Sequence, residues 1–127
     1  MKKTIILVTL FLNSLVFAYG SKIKGIYAIG VFDQNKNGEN VQHVLKTKND
    51  YNGSCYTKIF ILGVPSNITP QVKIGKSRGH YQSRISIFNR KKIKIGEELL
   101  YKHYKVTKGY IEVKLNGKLY DTKVFVK

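Results

Sequence analysis

The sequence predicts an all-β protein, a small antiparallel β-sandwich or barrel of about eight short strands. Three observations carry this expectation. Short runs rich in Val, Ile, Tyr, Phe and Thr recur along the chain, separated by Gly and Asn. Within the runs apolar and polar residues alternate, the period of a half-buried strand. The chain closes on Tyr110–Leu115, Asn116-Gly117 and Lys118–Val126, two alternating segments around an Asn-Gly pair. A type I′ turn needs positive φ at both central residues, so this dipeptide predicts a two-residue C-terminal hairpin.

The elements follow in chain order. Lys2 and Lys3 precede an apolar stretch from Thr4 to Ala18, and Val16-Phe17-Ala18 satisfies the small-x-small rule. Residues 1–18 therefore read as a cleaved signal peptide. The stretch is about 15 residues, short of the roughly 20 that a membrane span requires. No cysteine follows the cleavage point to take a lipid, and no later segment reads as a transmembrane helix. The expected mature chain, 19–127, is a single β-rich domain that is exported, either periplasmic or secreted.

Within it, Ile23–Phe32 and Val41–Thr47 are expected to form a hairpin around the polar segment 33–40. Cys55–Leu62, Gln71–Ile74, Gln82–Phe88 and Lys92–Ile95 read as further strands. Gly96–Tyr101 reads either as a helical turn or as a strand running on to Val106. In the last hairpin Leu115 should face Lys118. Ile111, Val113 and Leu115 then share a core face with Tyr120, Thr122, Val124 and Val126. Glu112, Lys114, Asp121 and Lys123 take the other face, where opposite signs can neutralise diagonally.

Composition narrows the function. A content of 43% hydrophobic residues separates the chain from a disordered basic tail. One cysteine excludes a disulfide-stapled scaffold and any Cys-based zinc or iron–sulfur site within one chain. Loss of Lys2 and Lys3 lowers the formal charge from +16 to +14. A field of that size attracts polyanions at low salt.

The most suggestive segment runs from Lys73 to Lys94 and contains no acid. Its candidate anion-binding residues are Lys73, Lys76, Arg78, His80, Tyr81, Arg84, Arg90, Lys91, Lys92 and Lys94. All three arginines of the chain fall inside it. Arginine offers planar, bidentate contacts to phosphate, sulfate or carboxylate, and Tyr81 can stack on a ring. Lys102, Lys105 and Lys108 form a second cluster. The alternative is a strand–loop–strand whose charges simply face water.

Other motifs carry less. Asp33-x-Asn35-x-Asn37-Gly38 copies the first half of an EF-hand loop, but Val44 stands where the bidentate Glu belongs. A polar hairpin turn is the expected reading. Gly75-Lys76-Ser77 ends like a phosphate-binding loop, yet Pro70 replaces the required glycine. Cys55 shares a strand face with Thr57, Ile59 and Ile61, which makes it a buried thiol; an intermolecular disulfide is the alternative. Cysteine catalysis would need His43, His80 or His103 nearby. No two of these histidines have the spacing of a local metal pair, and surface or loop positions are expected for them. Glu97-Glu98 is the one adjacent pair among seven acids, and strand neighbours face opposite ways. Asp50-Tyr51-Asn52-Gly53-Ser54 matches the acidic-x-Asn-x-Ser/Thr glycosylation sequon and Asn67-Ile68-Thr69 only the shorter one, but a polar loop before a strand is the expected reading of the first.

The sequence thus points to a small exported basic protein. Its expected role is that of a noncatalytic binding module for an anionic envelope component, an acidic polysaccharide or another polyanion. The alternative is a structural or interaction subunit, an inhibitor or accessory protein, that grips a protein partner through a sheet edge. A small hydrolase is a third class. No catalytic residue, metal or cofactor is assigned.

Overall fold

The computed structural model describes residues 23–63 and 68–127. The expected signal peptide, 1–18, and the sequon asparagine at 67 lie outside the described residues. The strands are β1 (Ile23–Phe32), β2 (Gly38–Asn40), β3 (Gly53–Gly63), β4 (Gln71–Ile74), β5 (Ser77–Phe88), β6 (Lys94–Val106), β7 (Gly109–Leu115), β8 (Lys118–Asp121) and β9 (Phe125–Val126). They form one antiparallel sheet in the order β2-β1-β3-β6-β5-β4-β7-β8, with β9 on β7. The sheet curls into a half-barrel, in keeping with the expected small all-β architecture. No helix occurs among the described residues, so none is long and apolar enough to cross a membrane.

The core fills the concave side. Ile26, Ala28 and Val31 of β1 join Cys55, Ile59 and Ile61 of β3 and Leu99 and Tyr101 of β6. Opposite them lie Val72, Ile74, Ile111 and Val113 from β4 and β7, with Val124 and Val126 from the tail. A bulge between Ala28 and Gly30 adds one residue to β1. That extra residue resets the alternation, so Ala28 and Val31 both point inward.

The curl closes without a ladder. β8 approaches β1, and Asp121 Oδ2 accepts the Ala28 N–H at 3.0 Å. The tail is tied to the 45–51 loop by backbone bonds. Thr47 N–H donates to Phe125 O at 2.9 Å, Phe125 N–H to Leu45 O at 2.9 Å, and Tyr51 N–H to Lys127 O at 2.8 Å. Thr47 Oγ1 accepts the Lys127 N–H at 3.0 Å.

β1 and β4 have the boundaries expected from sequence. Residues 96–101 are strand, part of a β6 that runs to Val106. Asn116 and Gly117 have φ of 52° and 83°, with Leu115 opposite Lys118, as a type I′ turn requires.

Four expectations need correction. Val41–Thr47 is not a strand; β2 lies earlier and is three residues long. The chain leaves the sheet there because Asn40 Oδ1 takes the Gln42 N–H at 2.8 Å, while Thr47 bonds to the tail. β5 begins at Ser77 rather than Gln82, because the tight turn at Gly75-Lys76 lets pairing start at once. β6 begins at Lys94 rather than Lys92, which belongs to the preceding turn. In the last hairpin a bulge between Val113 and Lys114 shifts the register, so Asp121 opposes Val113. β8 ends there, Thr122 is exposed instead of joining the core, and Asp121 bonds Ala28 rather than neutralising a lysine across the strand.

Candidate anion-binding surface

β5 carries the basic segment but does not make it one patch. Its twelve residues, at about 3.3 Å each, separate its ends by roughly 35 Å. The ten candidate residues therefore fall into three places.

The first is the end where β4 turns into β5. Lys73 stands directly across from Arg78, and Lys76 sits in the intervening turn beside Gly75, whose φ is 58°. Like charges directly opposite each other destabilise a sheet. His80 pairs with Lys102 of β6. Lys102 Nζ lies 5.5 Å from the Tyr56 ring and 5.1 Å from the Tyr104 ring, and the His80 and Tyr104 rings meet edge-on at 5.4 Å. Strand alternation puts Arg78, His80, Lys102, Tyr104 and Tyr56 on the outward face. Lys105 and Lys108 are exposed at the same end. The neighbouring acid, Glu112, is 3.9 Å from Lys73 and 3.8 Å from Lys114. Exposed pairs at that range hold their partners weakly, by about 1 kcal/mol or less.

Beside this row the outward face is hollowed into a depression of about 350 Å³, lined by Phe32, Tyr56, Lys58, Ile85 and Leu100 among others. Lys58 Nζ lies 4.9 Å over the Phe32 ring and 3.7 Å from Glu98.

The second place is the middle of β5, where Tyr81 and Arg84 face the concave side. Arg84 Nη1 donates to Glu97 Oε1 at 2.8 Å. Nη2 donates to Ile68 O at 2.9 Å and Thr69 Oγ1 at 2.7 Å, and Nε to the Tyr81 hydroxyl at 3.2 Å. Lys94 Nζ donates to the other Glu97 oxygen at 2.9 Å. Glu97 is buried. Arg84 and Lys94 thus serve a structural knot that pins residues 68 and 69 to the sheet. The third place is the β5–β6 turn, where Arg90, Lys91 and Lys92 are exposed.

The histidines separate in the same way. His103 is fully buried rather than at the surface. Gly79 lies across from it, and a Cβ there would stand 2.8 Å from the ring and 3.0 Å from Val72 O. A glycine is what lets β5 pass so close. His103 Nε2 shares a 2.8 Å hydrogen bond with Thr57 Oγ1. Burial pulls its pKa down to about 4. Cys55 is its cross-strand partner on β3, also fully buried, with burial pushing the thiol up to about 12. Burial thus disfavours both the thiolate and the imidazolium, so proton transfer from that thiol to that imidazole is uphill. The pair is a neutral piece of core. With no exposed area, the Cys55 sulfur also meets no second chain.

Asp33 Oδ1 accepts the N–H groups of Asn35 and Asn37 at 2.8 and 2.9 Å. The EF-hand-like motif is thereby used as an Asx turn. Among the described residues no cluster of three or more His, Cys, Asp or Glu gathers.

Sequence reasoning left Tyr56 and Tyr104 out of the site and set Lys102 apart from it. Lys102 and Tyr104 alternate correctly, a signal present in the sequence. Tyr56 is distant in the chain, and only strand pairing brings it in. No protein-family model matches the chain, and no match is found among curated proteins or solved structures.

Proposed function

We propose that this protein is a noncatalytic binding module for an anionic polymer of the cell envelope, an acidic polysaccharide being the class the surface suits best. The observation that carries this reading is the placement of Arg78 directly opposite Lys73, with Lys102 between two tyrosine rings beside them. Like charges set opposite each other cost stability, Lys73 has only a long contact to Glu112 at 3.9 Å, and a bound anion offsets that cost. Tyr56 and Phe32 offer flat apolar walls to sugar rings, and the depression next to them is at the small end of ligand sites. Export to the envelope is part of the proposal and rests on residues 1–18.

The test is titration calorimetry with an acidic glycan and its neutral analogue across a salt series. Binding should require the acid groups and weaken as salt rises. Arg78→Glu and Lys102→Glu should each cost about tenfold or more, the scale of one lost charge-assisted bond. Unchanged affinity in both variants would sink the reading.

A second reading has its own support. β5 pairs with β4 only through Ser77 and Arg78, so from Gly79 to Phe88 its other edge carries no strand among the described residues. A partner strand could add there. Such binding would persist in high salt, which separates it from the first.

A further inference from the structure

The β5–β6 turn lies at the opposite end of β5 from Lys73 and Arg78, and exposed apolar side chains lead up to it from Ile85 on the rim of the depression. Ile85, Phe88 and Ile93 are 56%, 58% and 57% exposed. The turn that displays them is firmly fastened. Asn89 N–H donates to Ile93 O and Lys92 N–H to Asn89 O, each at 2.9 Å. Asn89 Oδ1 accepts the N–H groups of Lys91 and Ile93 at 2.8 and 3.0 Å.

Between the apolar residues stand three consecutive exposed cations, Arg90, Lys91 and Lys92. Of the two nearby acids, Glu97 is held by Arg84 and Lys94, and Glu98 lies 3.7 Å from Lys58. Ile85 and Ile87 pair with Glu98 and Gly96, which puts them on the outward face. Ile93, opposite Asn89, continues that row up to the cations.

We propose that the β5–β6 turn docks the protein on an anionic lipid bilayer, with its isoleucine face on the interface and Arg90, Lys91 and Lys92 among the lipid phosphates. Charge complementarity and an apolar face side by side are what an anionic interface rewards. Long basic side chains reach the phosphates while their stems lie along apolar surface. A second copy is a poor occupant, because its own three cations repel these. A soluble glycan has no apolar phase to receive the isoleucines.

The chain contains no tryptophan, so a single introduced one reports on a single place. Ile93→Trp marks the turn and Tyr104→Trp the far end, and both positions are exposed. On phosphatidylglycerol vesicles the Ile93→Trp emission should shift to the blue. It should stay put on phosphatidylcholine vesicles, and Tyr104→Trp should not shift on either. Ile87→Ser/Ile93→Ser should weaken sedimentation with phosphatidylglycerol vesicles about tenfold or more while keeping affinity for the acidic glycan, since neither residue lines the depression. An unchanged Ile93→Trp spectrum, or full vesicle binding by the double variant, would overturn the proposal. Loss of glycan binding in Arg78→Glu with vesicle binding intact leaves it standing, since Arg78 and the turn are at opposite ends of β5.

Discussion

At the scale of single residues, His103 gives the protein an acid-sensitive core. Its imidazole is neutral when folded, with a pKa near 4 against an ordinary 6.5. The unfolded chain therefore binds the extra proton first as pH falls. Stability is fully present above about pH 6.5 and is lost progressively down to about pH 4, by about 3 kcal/mol in all. Urea unfolding at pH 7 and pH 4.5 should show most of this loss, and His103→Gln should flatten it. Glu39 acts lower on the scale. Burial alone would raise its pKa, but bonds from Lys48 N–H, Asn49 N–H and the Tyr51 hydroxyl bring it below 4.5. Its stabilisation disappears only as pH falls beneath that value. Cys55 provides a second check: its labelling by a thiol reagent should follow the rate of unfolding, with no fast phase in the native protein. That Cys55 is buried was legible from the alternation of Thr57, Ile59 and Ile61. The burial of His103 was not, because its neighbours Lys102, Tyr104 and Lys105 are polar or amphipathic and its space comes from Gly79 on another strand.

At the scale of elements, two hairpins use the same turn. In β1–β2 the Asp33 N–H donates to Asn37 O and Lys36 N–H to Asp33 O; in β5–β6 Asn89, Ile93 and Lys92 repeat the pattern. Each turn has an Asx side chain binding two amides and a lysine in the left-handed region, Lys36 at φ 67° and Lys92 at φ 64°. A side chain other than glycine there costs about 1 kcal/mol or more. Lys92→Gly should therefore raise stability by about 1 kcal/mol, a shift of several degrees in the melting midpoint. The sequence announced Asn116-Gly117 plainly, since both residues favour positive φ. It showed the 33–40 turn as a polar segment but not its geometry, and it hid the 89–93 turn; in both, lysine occupies the position that glycine usually marks. That is why the strand expected from Lys92 starts at Lys94. The candidate site was legible in part for the same reason. Charge runs are visible along the chain, but whether a cation is free or tied depends on partners such as Glu97 and Ile68, which the run does not contain.

At the scale of the whole molecule, the half-barrel is held shut by contacts between its ends. Asp121→Ala removes the acceptor for the Ala28 N–H and should cost about 1–2 kcal/mol. Faster hydrogen exchange at Ala28 than at its β1 neighbours would mark the opened seam. Removing Phe125–Lys127 takes away the partners of Leu45, Thr47 and Tyr51 and should cost more than the point change, read as a lower urea midpoint. These long-range ties also set the order of events during synthesis. Residues 45–51 cannot settle until 125–127 exist. At about 5–20 residues per second, translation of the chain takes roughly 6–25 s. Throughout that time the sheet lacks its last strands, and the 45–51 loop remains unlatched. If the chain is exported as proposed above, the topology would act as a timer, delaying the last closure of the half-barrel until the tail has been made.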